Sequence, residues 1–201
     1  MSTTEDAPAA VAVGSGIADP APLGLAAFAL TTFLLSAVNA GWANNTSGLD
    51  WLGYAFAYGG LAQLLAGMWE FKNRNVFGAT AFSTYGGFWI GTGLWVLLAH
   101  ATGTDKDLGW ILLAFAIFNT YMLLFSTQLN TAVFLVFLTL ELTEIFLFIG
   151  VFAANANIVK IGGYIGIVTA LVAWYTSAAG VINGLKGKQV FPVGGPLFNM
   201  G

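Results

Sequence analysis

Apolar residues run along this chain in long unbroken stretches rather than in alternation. Six of them fall at about residues 23–40, 51–69, 80–99, 108–125, 131–153 and 158–182. A bilayer core of about 30 Å takes roughly 20 apolar residues per helix, so each stretch predicts one spanning helix. A transmembrane β-barrel would show segments of about ten residues alternating apolar and polar, a pattern absent here. Short connections join the stretches and leave no room for a separate soluble domain. The expected fold is an all-α integral membrane protein, with six transmembrane helices over 20–185, a tail at 1–19 and another at 186–201.

Composition sharpens this picture. Of 201 residues, 58% are hydrophobic and 7% charged, and the mean hydropathy is +0.81. A soluble domain carries about 25% charged residues, so this chain could not cover itself with a hydrated surface. Residues 1–19 are polar, acidic and rich in Ala, Pro and Ser. They lack the basic start and apolar core of a signal peptide, and are expected to form a disordered cytoplasmic tail. The absence of cysteine excludes disulfides, thiol chemistry and cysteine-ligated metals. The net charge of −3 decides little, because the charges sit in loops and tails.

The basic residues set an expected orientation. Lys72 and Arg74 separate the second and third stretches, and Lys186 and Lys188 follow the sixth; Lys106 and Lys160 fall on the other side. Excess Lys and Arg stay in the cytoplasm, which places both termini there and the chain, multi-pass, in the cytoplasmic membrane. Trp42, Trp51, Trp69 and Trp110 stand at stretch ends, where amphipathic rings suit the headgroup level.

Polar residues inside the stretches are more numerous than an anchor needs. They include Thr31, Thr32, Ser36, Asn39, Gln63, Thr84, Tyr85, Thr92, Asn119 and Thr120. Each has two readings: an interhelical hydrogen bond, or the lining of a polar path. Gly59-Gly60, Gly86-Gly87 and the four-residue spacing of Gly87 and Gly91 remove side-chain bulk so that another helix, or a permeating molecule, can come near, and close helix packing is the favoured reading. No lysine lies in the middle of a stretch, which argues against a Schiff-base chromophore. The lone His100 reads as a solvated loop residue, and no metal site or cofactor is implied.

The fifth stretch, "VFLTLELTEIFLF", carries Glu141 and Glu144 three residues apart and near its middle. A carboxyl inside a bilayer is by default a functional-site hypothesis. The structural alternative is a neutral glutamate bonded to a neighbouring helix or subunit. With no basic partner in any stretch, a proton-exchanging or neutral state is favoured over a salt bridge.

Two motifs carry the reading further: "DPAPLGLAAFALTTFLL" from Asp19 and "YGGLAQLLAGMWEFKNRNVFGATAFSTYGGFW" from Tyr58. Together with "VFPVGG" near the C-terminus they resemble the acetate uptake transporter family, the bacterial succinate–acetate permeases and their fungal relatives. The family motif begins with Asn where Asp19 stands here. Pro20 and Pro22 suit a first helical turn, and Asp19 can cap it. An anion can also meet that helix end, where Asp19 would oppose it, so Asp19, Pro20, Pro22, Leu23 and Gly24 read either as a cap motif or as part of a path.

The resemblance implies a hexamer of six-helix protomers, each with a narrow path for acetate and succinate. It implies a constriction at Phe28, Tyr85 and Leu140, with apolar walls and one tyrosine hydroxyl for a passing carboxylate. Thr31, Asn39, Gln63, Thr84 and Asn119 are candidate polar linings. Glu144, one turn beyond Leu140, is expected to face the same path and to hold or exchange a proton, with Glu141 beside it; a changed substrate preference and a subunit contact are the other readings. Expected partners are acetate, succinate, protons, lipid and further copies of the chain, and no nucleic acid. A non-transporting sensor or assembly protein of the same fold is the alternative from another class. An intramembrane enzyme is weakest, since neither a His-Glu metal motif nor a nucleophile–base pair is present.

Overall fold

The computed structural model describes residues 16–43, 50–98 and 104–198, and within them every apolar stretch falls on a helix. Residues 1–15 of the expected tail, and His100, lie outside the described residues. The first stretch is α1 (Ala21–Asn39). The second is a continuous rod of α2 (Leu52–Phe56), a π-helical segment (Ala57–Ala62) and α3 (Gln63–Lys72). Then come α4 (Val76–Leu98), α5 (Asp105–Ser126), α6 (Thr131–Phe152) and α7 (Ala156–Lys186). By length and hydropathy, α1, α5, α6 and α7 each suffice to cross a bilayer. α4 has the length, at 23 residues, but glycine, serine and threonine dilute its hydropathy.

Local chemistry explains where several helices begin. Asn130 Oδ1 accepts from the Val133 amide at 2.9 Å, and Asn155 Oδ1 accepts from Asn157 N at 3.0 Å, each capping a helix that follows at once. Thr104 donates its backbone N–H to Asp107 Oδ2 at 2.7 Å at the start of α5. At α1 the capping position is Pro20, and Asp19 Oδ1 accepts from the Ala21 amide at 3.0 Å one residue before it. The α3–α4 and α6–α7 corners each turn through a non-glycine residue in the left-handed region, Arg74 (φ 61°) and Ala154 (φ 50°).

α1 packs against α7, the π segment, α3 and α4, while α6 sits between α5 and α7. α5 meets α6 broadly and α4 only narrowly. Glycines permit the closest approaches. A Cβ on Gly86 would stand 2.8 Å from the Leu64 backbone nitrogen, so α3 and α4 touch there main chain to main chain. Gly59 faces the Thr31 side chain in the same manner. Gly87 and Gly91, by contrast, lie outward, and no described residue of this chain comes within 4 Å of a Cβ at either. Trp51 also departs from expectation. It is buried against Trp89 with ring centroids 6.3 Å apart, whereas Trp42, Trp69 and Trp110 are exposed.

After α7 the chain folds back as a strap. Asn183 Oδ1 accepts from the amides of Val190 (2.6 Å) and Phe191 (2.9 Å). Further on, the Ala132 amide donates to Val193 O at 2.9 Å and the Leu197 amide to Thr127 O at 2.8 Å. The strap therefore ties the α5–α6 loop to the end of α7.

Candidate functional site

Phe28 on α1, Tyr85 on α4 and Leu140 on α6 come from three helices into one apolar cluster, each at most 6% exposed. Phe28 and Tyr85 meet edge to face, with ring centroids 5.8 Å apart. Phe115 and Phe118 of α5 flank the Tyr85 ring at 6.1 and 5.5 Å.

Two cavities abut this cluster. The larger, about 300 Å³, is bounded by Asp19, Gln63, Asn73, Asn75 and Asn130 among its polar residues. The smaller, about 50 Å³, is lined by Thr32, Asn39, Trp89, Leu147 and Glu144 among others. The residues common to both are Phe28, Tyr85 and Leu140. Those side chains form the partition between the two spaces.

The polar candidates separate by place. Gln63 lines the larger cavity, buried, with Oε1 lacking a hydrogen-bond partner among the described residues. Asn39 lines the smaller one. Thr31 and Thr84 line neither. Thr31 is fully buried, donates to Ala27 O at 3.1 Å and fills the space over Gly59. Of Asp19, Pro20, Pro22, Leu23 and Gly24, only Asp19 reaches a cavity wall. Gly24 admits the Phe82 ring, Leu23 is exposed, and Pro22 O accepts from Ser177 Oγ at 2.6 Å.

Asn119 lines neither cavity; it is fully buried behind Tyr85. The Tyr85 hydroxyl donates to Asn119 Oδ1 at 2.9 Å. Asn119 Nδ2 in turn donates to Phe137 O at 3.0 Å and to Glu141 Oε2 at 2.7 Å. The hydroxyl thus has its shortest hydrogen bond to α5, while the Tyr85 side chain lines both cavities. The two glutamates also part company. Glu144 is buried, with Oε1 3.4 Å from the Tyr85 oxygen and Oε2 unpartnered among the described residues. Glu141 is half-buried and meets Thr120 Oγ1 at 2.7 Å on the outer side of the α5–α6 pair. A three-residue step leaves about 60° between two side chains on a helix, enough to send them to different surroundings.

Trp89 and Glu70 were not legible as contributors in the sequence. Trp89 Nε1, like Thr32 Oγ1 of the expected polar set, is buried on the small cavity without a partner among the described residues. Glu70, at the end of α3, is fully buried, accepts from Asn73 Nδ2 at 3.1 Å and lies against Gly78. Its place between Trp69 and Phe71, with asparagines following, was the signal available.

Residues 3–193 match the GPR1/FUN34/yaaH family. Acetate permease A of Emericella nidulans is 40% identical over 195 residues, covering 88% of this chain and 65% of that protein. This chain thus spans less than two thirds of the permease's length. The succinate-acetate/proton symporter SatP of Escherichia coli is 39% identical over 187 residues, covering 89% of this chain and 96% of that one. The solved structure of the bacterial acetate channel SatP is similar with a TM-score of 0.84 at 34% identity, covering 89% of this chain and 99% of the other. The chain, all-helical among its described residues, is a multi-pass membrane protein and belongs to the GPR1/FUN34/yaaH family.

Proposed function

We propose that this chain passes acetate, and with it succinate and other short carboxylates, across the cytoplasmic membrane. In this reading six helices span the bilayer with both termini in the cytoplasm, and each protomer of a homohexamer holds one path. The neck of that path is Phe28, Tyr85 and Leu140. One observation carries the reading: these three side chains are the shared walls of the two cavities.

The chemistry of the walls fits the cargo. A short carboxylate has an apolar end for Phe28 and Leu140 and two oxygens that need donors. Gln63 supplies an amide on one side of the neck; Asn39, Thr32 and the Trp89 N–H supply donors on the other. A dry apolar neck between polar chambers lets a molecule enter without holding it. The relatives' names, acetate permease, succinate-acetate/proton symporter and acetate channel, agree in cargo.

Glu144 is assigned a proton during passage, since an ionised glutamate beside the neck would repel a carboxylate. The single Tyr85 hydrogen lies toward Asn119, so the 3.4 Å contact is completed when Glu144 itself carries a hydrogen.

Uptake of labelled acetate into proteoliposomes tests the function. Accumulation above equilibrium driven by an inward proton gradient identifies a coupled carrier. Fast equilibration without accumulation identifies a channel. Absence of flux for every carboxylate tried overturns the reading.

A further inference from the structure

The hydrogens around Tyr85 can be counted, and the count fixes which way its hydroxyl points. An asparagine amide has two hydrogens on nitrogen and only acceptor sites on oxygen. Both Asn119 hydrogens are taken, by Phe137 O at 3.0 Å and Glu141 Oε2 at 2.7 Å. Turning the amide over would press Oδ1 against two other oxygens in a fully buried place, so this orientation is the satisfied one. Oδ1 therefore remains to accept, and the one hydrogen of Tyr85 goes to it at 2.9 Å. Glu141 is braced from outside by Thr120 at 2.7 Å. None of Asn119, Glu141 and Thr120 touches either cavity.

We propose that Asn119 and Glu141 are positioning residues for the neck, holding the Tyr85 hydroxyl away from the path. A carboxylate then slides past an aromatic ring that offers it no donor. The two residues act only through Tyr85. They sit on α5 and α6, whereas the tyrosine is on α4, which α5 otherwise meets only narrowly. The proposal rests on the transport reading and adds to it a reason for weak retention at the neck: a donor left free there would grip an anionic cargo and slow its exit.

The test uses the full chain reconstituted in proteoliposomes, with labelled acetate as the probe. Asn119→Leu should free the hydroxyl and lower the KM for acetate roughly tenfold, the scale of one charge-assisted hydrogen bond, while the maximal rate falls. Glu141→Leu should act in the same direction. Glu141→Gln, which keeps an acceptor for the Asn119 amide, should retain the wild-type KM. In a Tyr85→Phe background Asn119→Leu should no longer change KM. An equal KM shift with and without the Tyr85 hydroxyl overturns the proposal, as does Glu141→Gln behaving like Glu141→Leu.

A second readout does not depend on flux. In protein labelled with carbon-13 at the tyrosine ring carbon bearing the hydroxyl, the Tyr85 resonance is found by its loss in Tyr85→Phe. It should move in both leucine variants and stay in place in Glu141→Gln; an unmoved resonance in both leucine variants overturns the clamp. Should Asn119→Leu fail to fold, Glu141→Leu, which leaves Asn119 present, carries both measurements. A wild-type chain that moves no acetate defeats the transport reading, and the resonance alone then decides the clamp.

Discussion

Leu140 and Glu144 stand one helical turn apart on α6 and line the same small cavity, one as part of its apolar floor and the other as its carboxyl. An ionisable group is thereby set directly beside the partition through which cargo is proposed to pass.

Glu144→Gln is the first consequence. Glutamine keeps the shape of a protonated glutamate and cannot lose a proton. The variant should retain acetate uptake, and its rate should stay level as pH rises where the wild-type rate falls. Uptake measured across a pH series in proteoliposomes checks this, and an unaltered profile removes Glu144 from the proton step.

The two corners in the left-handed region give a prediction of stability. Ala154, at φ 50°, is exposed and carries a Cβ where glycine is at ease. Ala154→Gly should stabilise by about 0.5 kcal/mol, the relief of that strain less the extra freedom glycine has when unfolded. The melting temperature in detergent should rise by about 1–2 °C. A fall would mean that the corner is not strained.

Neighbouring glycines on α4 should respond in opposite ways. At Gly86 a methyl group would meet the Leu64 backbone at 2.8–2.9 Å, which no side-chain movement relieves. Gly86→Ala should cost about 1–3 kcal/mol, as overpacking does. Gly87 has open space, and Gly87→Ala should change stability by no more than about 0.5 kcal/mol. Thermal unfolding of the two variants side by side separates them. Equal losses would mean that another surface covers Gly87.

These contrasts mark where the sequence was readable. Helix positions followed from the length and continuity of the apolar stretches, since a bilayer leaves the backbone few other ways to satisfy its hydrogen bonds. Phe28 and Tyr85 stood in dense motifs. By contrast, Asn119 and Glu141 are 22 positions apart on different helices, and their bond appears only once α5 is laid on α6. Nothing in the periodicity told Gly86 from Gly87, because the small and polar residues of α4 are spread around the helix and its packing side is chosen by its neighbours. Trp51 looked like any other span-end tryptophan until Trp89 closed over it.

The C-terminal strap yields a further prediction. Asn183 receives two backbone amides and donates to Phe191 O at 2.9 Å. Asn183→Ala removes all three bonds, which is worth about 1–3 kcal/mol at a partly solvated site. Limited proteolysis should then cut between residues 187 and 198 several times faster than in the wild type, and equal cutting would show that Asn183 does not hold the strap.

The central claim is that cargo crosses the partition formed by Phe28, Tyr85 and Leu140. Its most direct measurement is the ratio of succinate to acetate uptake in Leu140→Ala, set against Leu147→Ala, whose side chain lines the small cavity alone. Widening the neck should admit the larger cargo, so the ratio should rise several-fold in Leu140→Ala and stay near the wild-type value in Leu147→Ala. A ratio unchanged by Leu140→Ala, or raised equally by both, would contradict the account and send the path elsewhere in the bundle.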